Sequence, residues 1–269
     1  RWKRLATSNS AIALRVDKKP FDDIRVRQAL SMAIDREAYV KAQLGGEGVI
    51  MSSHLSPRWS TDIYTTMEQL PASAKQLFDY NPEKAKQLLK DAGYPTGFKA
   101  EFVTMSSAAN VDLCSMVADY WKKNLNVEVT LRPLDYATYM GVQYGKTYKD
   151  IMYYSTGYRH PALLLREIGT LPQVWNPTCF NDPYYTALAM KAVGTADPVA
   201  QKPMLKELNV YLIDKAPYLV LPVGYIYTYA HPWVKNYFGE ISTGCYAMGP
   251  VYATVWIDRD LREQATGKR

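Results

Sequence analysis

Histidine, cysteine and phenylalanine are scarce in this chain, and long apolar runs are missing. The three cysteines, Cys114, Cys179 and Cys245, are widely separated without C-x-x-C spacing, and only His54, His160 and His231 accompany them. That distribution is against a zinc site, and it leaves open three reduced thiols or one disulfide plus one free thiol. No stretch reaches the roughly 18 apolar residues a bilayer-spanning helix needs, so the chain is not expected to span a membrane; no basic-then-apolar leader opens it either. There is no Gly-rich phosphate loop, metalloprotease helix or G-x-S-x-G turn, so these mechanistic classes lack their local positioning device. No run of four Lys/Arg occurs. The 32 basic and 26 acidic side chains, net +6, alternate along the chain, and no nucleic-acid partner is expected.

What the 269 residues do have is enough apolar material, 48%, to bury a substantial core. Ser10 to Val16 reads as a strand closed by Pro20. Asp22-Asp23 can cap a helix whose Val26, Ala29, Leu30, Ala33 and Ile34 share one face. Asp35 starts a second helix with Val40 and Leu44 inward, ended by Gly45-Gly46. Residues 47–80 are rich in Ser, Thr and Pro and weakly periodic, which predicts an irregular surface or hinge-facing excursion. Asn81 as cap, Pro82 in the first turn, the Ala85, Leu88, Leu89, Ala92 stripe and Gly93 as exit then mark a helix at both ends. A strand over Phe98–Met105, a helix over Asn110–Asn124 and a strand over Val127–Leu131 form a strand-helix-strand unit, expected to be parallel. Asp135 caps a further helix, Ile151–Tyr154 is an apolar strand, Pro183–Val193 and the segment from Asp197-Pro198 are helical, and Tyr218–Leu221 is a buried strand. The polar segment from Asp258 is expected at the periphery. These elements predict an α/β layer arrangement with mixed strand direction.

Candidate chemistry is thin. Asp22/Asp23 and Asp35/Glu37 could pair as acid and base, but helix starts account for them. A Cys179–His160 pair has no activating third residue in the sequence. The aromatics say more: 22 Tyr and 6 Trp against 6 Phe supply broad contact area with a polar handle, as recognition clefts and interfaces use. Tyr153, Tyr154, Tyr158, Trp175 and the Tyr225/Tyr227/Tyr229 alternation are the candidates, with packing at sheet edges as the competing reading for each.

The run Pro20-Phe21-Asp22-Asp23-Ile24-Arg25-Val26-Arg27-Gln28-Ala29-Leu30-Ser31-Met32-Ala33-Ile34-Asp35-Arg36-Glu37 resembles the signature of family 5 extracellular solute-binding proteins. Tyr80 to Pro95, Ala216 to Pro222 and Trp233 to Tyr237 resemble later family segments in the same order. The resemblance implies a mixed-sheet lobe II of a type II periplasmic-binding-protein-like fold over residues 1–269, without the N-terminal lobe. It also implies that no reaction is catalysed, that no cofactor or metal is held, and that the chain sits outside the cytoplasm, periplasmic or tethered to the outer face of the membrane. Its expected partners are a small solute or short peptide, the missing N-terminal lobe and an importer permease. Within the signature, Arg25 and Arg27 are expected to reach carboxylates or helix ends while Val26 enters the core.

In peptide-binding members the strand ending in an aromatic is followed by Asp, an aromatic and Pro, the Asp pairing with the peptide amine. Here Tyr154, Tyr158 and Pro161 fit that pattern, and Gly157 stands at the Asp position. Solute contacts are therefore expected from Tyr153, Tyr154, Thr156, Gly157, Tyr158, Arg159, Trp175 and Tyr225, on irregular loops around 153–181 and 224–229. Two other readings stay open: a peptide-recognition or chaperone-like module, and an enzyme domain completed by a missing lobe.

Overall fold

A sheet covered on both faces needs strands that are apolar at nearly every position, and Ala11–Leu14, Ile151–Tyr154 and Tyr218–Val220 meet that need. The computed structural model describes residues 1–6, 9–57, 62–157, 160–240 and 248–268. In chain order the elements are β1 (Trp2–Leu5), β2 (Asn9–Leu14), α1 (Ile24–Met32), α2 (Arg36–Gln43), β3 (Gly48–Val49), α3 (Ala72–Lys75), α4 (Pro82–Asp91), β4 (Lys99–Met105), α5 (Ala108–Leu125), β5 (Glu128–Leu134) and α6 (Tyr136–Gly145). They continue with β6 (Ile151–Thr156), α7 (Pro161–Gly169), α8 (Pro183–Gly194), α9 (Pro198–Lys215), β7 (Tyr218–Val220), β8 (Val223–Thr228), β9 (Val234–Lys235), α10 (Gly249–Tyr252), β10 (Trp256–Ile257) and α11 (Arg259–Thr266).

The chain divides into two compact units, residues 7–223 and residues 1–6 with 224–269, where the sequence suggested one lobe over 1–269. The larger unit is built on a five-stranded sheet of order β5-β4-β6-β2-β7. β4 runs parallel to β5 and to β6, and β2 is antiparallel to both β6 and β7, so the sheet is mixed. Strand alternation sorts its side chains into two cores. Ile12, Leu14, Phe102, Ile151, Tyr153 and Leu219 face α1, α4 and α5, where Trp121 is fully buried and its indole N–H donates to the Leu30 carbonyl at 2.9 Å. Ala11, Ala13, Val103, Met152, Tyr154 and Tyr218 face α6, α7, α8 and α9.

The predicted caps are in place. Asp23, Asp35, Asn81, Asp135 and Asp197 each accept a main-chain N–H at a helix start, and Gly93 takes φ +91° after α4. In the signature segment Val26 is fully buried, Arg25 donates to Asp23 and to the Asp91 carbonyl ending α4, and Arg27 donates to the Lys215 carbonyl ending α9. In α2 the buried apolar residue is Tyr39 rather than Val40.

Residues 47–80, expected as an irregular surface or hinge-facing excursion, are in part buried. Met51 to Ser56 are all buried, and Leu70, Ala74 and Leu77 join the α1-side core. The composition misled because serine hydroxyls of this segment find partners inside. The Ser52 hydroxyl donates to the Thr65 carbonyl at 2.6 Å and the Ser53 hydroxyl to Asn209 Oδ1 at 2.8 Å. Arg36, 2% exposed, fastens the segment by donating to the carbonyls of Leu77, Ser31 and Val220 and to the Ser31 hydroxyl.

In the smaller unit β1 pairs antiparallel with β8 and β9 with β10. Arg4 donates to the carbonyls of Phe238 and Gly239. Gly239 has φ +78°, and a Cβ there would lie 2.6 Å from the Trp2 ring, so no side chain fits. Cys114 and Cys179 are free thiols; Cys245 lies outside the described residues.

Candidate functional site

The carboxyl ends of β4, β5, β6 and β7 share one edge of the sheet with the start of β2, as the Asn9–Thr156 and Ala11–Val220 registers require. From that edge β4 leads into α5 on one face, while β5 and β6 lead into α6 and α7 on the other. Connections that leave adjacent strands toward opposite faces open a crevice at the carboxyl edge, where open α/β sheets bind ligands. The opening begins inside the sheet. The β4–β6 register comprises Phe102–Ile151 and Val103–Met152, and one residue further the Tyr139 hydroxyl of α6 donates to the Tyr153 carbonyl.

The mouth of this crevice is built from Ser106, Ser107, Ala108 and Ala109 where β4 becomes α5, Asp135 and Tyr136 where β5 becomes α6, and Gly157 after β6; all of them are exposed. Ser106 N donates to the Leu134 carbonyl at 2.8 Å and so ties the first two exits together. Tyr136 is 69% exposed, the most open of the described tyrosines of the larger unit. Asp135 accepts the Thr138 N–H at 3.1 Å, and its hydrogen bonds to Thr138 hold its carboxyl below the usual range, so it is ionised at neutral pH. Sequence reasoning did not select Tyr136; its position directly after the Asp135 cap, at the end of a strand, was the available signal.

The residues expected to read solute separate into groups. Thr156, buried, and Gly157, exposed, are at the carboxyl edge. Tyr153 and Tyr154 are buried in opposite cores, with the Tyr153 and Ser10 hydroxyls 2.9 Å apart and the Tyr154 hydroxyl donating to the Trp175 carbonyl at 2.8 Å. Trp175 is half-buried, edge-on to Tyr144 at 5.2 Å. The residues that follow it are fastened at the other edge of the sheet, where Val16 N donates to the Thr178 carbonyl and the Tyr148 hydroxyl to the Pro177 carbonyl. Tyr225 belongs to the smaller unit, with the Lys3 ammonium 4.2 Å from its ring centre. Tyr158 and Arg159 lie outside the described residues.

The expectation of irregular loops over 153–181 and 224–229 is also corrected. Residues 151–156 and 223–228 are strands, and Pro161–Gly169 is a helix. Pro161 fits because the first helical position needs no N–H. The possible acid–base pair Asp22/Asp23 is spent locally, Asp23 accepting the Arg25 N–H and pairing with its guanidinium.

A family model described as "Bacterial extracellular solute-binding proteins, family 5 Middle" matches residues 3–168. The chain belongs to this family. Among curated family relatives, heme-binding protein A of Haemophilus influenzae is 29% identical over 241 residues, 84% of this chain and 41% of that protein. The glutathione-binding protein GsiB of Salmonella typhimurium is 29% identical over 228 residues, 79% of this chain and again 41% of that protein. The chain thus spans less than half the length of these relatives. Among solved structures, DppA from Helicobacter pylori, in complex with the peptide STSA, superposes with TM-score 0.78 at 21% identity, covering 96% of this chain and 49% of that one. AppA from Bacillus subtilis, in complex with a nonapeptide, gives 0.77 at 19%, covering 95% and 52%. At these identities the likeness is one of fold, and it agrees with the mixed α/β periplasmic-binding-protein lobe.

Proposed function

We propose that this chain supplies one side of a solute-binding cleft for an ATP-driven importer, working outside the cytoplasm together with a further lobe and a permease. The observation that carries the reading is the carboxyl-edge crevice of a family 5 sheet, walled by exposed Tyr136, Ser106, Ser107 and Gly157. An exposed ring beside small residues and hydroxyls suits capture through stacking and hydrogen bonds. No bond is made or broken in this role. Discrimination comes from complementary contacts once water is excluded.

The solute class proposed is a small peptide-like or oligosaccharide-like molecule. DppA and AppA, each solved in complex with a peptide, support the first, and the exposed Tyr136 ring suits either. Gly157 offers only main-chain groups where an Asp would pair with an ammonium, so binding is proposed not to depend on a free peptide amine. The test is titration of the full-length protein with a short peptide, its N-acetylated form and neutral oligosaccharides. Similar affinity for the first two, or preference for the oligosaccharides, supports the reading. Tight binding only with a free amine overturns the amine-independence, and no binding of any class overturns the capture function.

A further inference from the structure

We infer that the smaller unit holds a separate site for a planar organic anion, a flat ring bearing a carboxylate or phosphate, between the β9–β10 ladder and α11. A cavity of about 340 Å³ lies there, lined by His231, Trp233, Ile257, Arg262, Thr266 and Lys268. That volume is at the lower end of the roughly 300–1,000 Å³ of small-molecule sites. One wall is aromatic: the rings of His231 and Trp233 stack with centres 4.2 Å apart and planes 6° from parallel. The facing wall is cationic. Arg262 and Thr266 are four residues apart on α11 and so share a face of the helix. Lys268 follows just beyond, its N–H donating to the Thr266 hydroxyl at 3.2 Å.

The two walls are held in register by their own main chain. Asp258 N donates to the Trp233 carbonyl at 2.8 Å, and the Asp258 carboxylate accepts the Leu261 N–H at 3.0 Å to start α11. Asp258 also lies 3.9 Å from the Lys235 ammonium, and among the described residues no carboxylate lines the cavity. Two cations facing a flat aromatic wall complement a charged head on a ring: the guanidinium fork takes the anion and the ring lies against the aromatic wall, while the Thr266 hydroxyl donates to the Arg262 carbonyl at 2.8 Å. The site uses none of the residues proposed to read solute.

The probes are benzoate and phenyl phosphate, with neutral benzamide and ring-free inorganic phosphate as comparators, added to the intact chain. Binding is read from the His231 and Trp233 ring resonances, assigned with W233F. The expected result is saturable shifts with both ring anions, about tenfold tighter than with either comparator, and weakened at least about fivefold in R262Q and in K268Q with the circular dichroism unchanged. Absence of saturation into the millimolar range overturns the proposal, as do wild-type affinities in both variants. Inorganic phosphate binding as tightly as phenyl phosphate removes the role of the ring and equally overturns it. These resonances belong to the smaller unit, so failure here is distinct from failure of solute capture.

Discussion

The Tyr154 hydroxyl donates to the Trp175 main-chain carbonyl at 2.8 Å, joining a buried strand residue to a half-buried aromatic 21 positions later. Neighbouring tyrosines repeat the device. Tyr148 donates to Pro177, Tyr185 to Leu165 and Tyr218 to Ile168, so the hydroxyls on this face of the sheet hold the backbone of residues 165–177. Tyr154→Phe keeps the ring packing and removes one anchor. It is expected to lower stability by about 1 kcal/mol with the fold intact, measured by urea unfolding. An unchanged midpoint would show that the bond carries no net stabilisation.

Arg36 is buried without a carboxylate among its recorded hydrogen-bond partners, and its guanidinium lies 5.1 Å from the Phe78 ring centre. Burial pushes its pKa down to about 10, which still leaves it charged at neutral pH. Arg36→Met removes the donors for the Leu77, Ser31 and Val220 carbonyls together, an expected loss of roughly 2–4 kcal/mol. Arg36→Lys keeps the charge but not the fork, and should fall between wild type and Met. Chemical unfolding of both variants decides this. A cost below about 0.5 kcal/mol for the Met variant would mean that residues 51–77 are held by packing alone.

His54 is buried edge-on to Tyr218 at 5.2 Å, and burial lowers its pKa from 6.5 to about 4. Between those values the unfolded chain takes up a proton that the folded chain refuses. Stability is therefore complete above about pH 6.5, falls as the pH drops toward about 4, and gains no further loss from this group below that. The difference amounts to something on the order of 3 kcal/mol. Unfolding free energies at pH 7.5 and pH 4.5, for wild type and for His54→Gln, isolate it. If the variant shows the same decline with pH, His54 is not its source.

The elements legible in the sequence were those whose signals are local. A cap such as Asn81 with Pro82, or Asp135 before Tyr136, is decided within a few residues by which N–H groups need an acceptor, and both form as expected. The burial of Ser53 is decided by Asn209, 156 positions away, and nothing near Ser53 announces that partner. The tyrosines at 153 and 154 were visible as a pair. Which core each enters depends on the β2 and β6 register, and that register is what places them away from solvent. Tyr136 was overlooked for the converse reason. A single aromatic in a helix's first turn gives no periodic signal, and only the order of β5, β4 and β6 puts it beside a crevice.

Tyr136 therefore provides the sharpest test of where solute is held. It is 69% exposed, and it follows the Asp135 cap, which is made by a neighbouring side chain. Replacing Tyr136 by Ala should leave the cap and both cores intact, so stability should change by less than about 0.5 kcal/mol. A ring that stacks on bound solute contributes roughly 0.5–1.5 kcal/mol beyond its buried area, and the area itself contributes a comparable amount. In the full-length protein, the Ala variant should bind about tenfold more weakly, while Tyr136→Trp should retain affinity because it keeps a flat apolar face. Titration calorimetry with whichever solute the wild type captures reads both. Wild-type affinity in Tyr136→Ala would move the contact surface away from the β5 exit, whereas equal losses in the Ala and Trp variants would assign the contact to the hydroxyl instead of the ring.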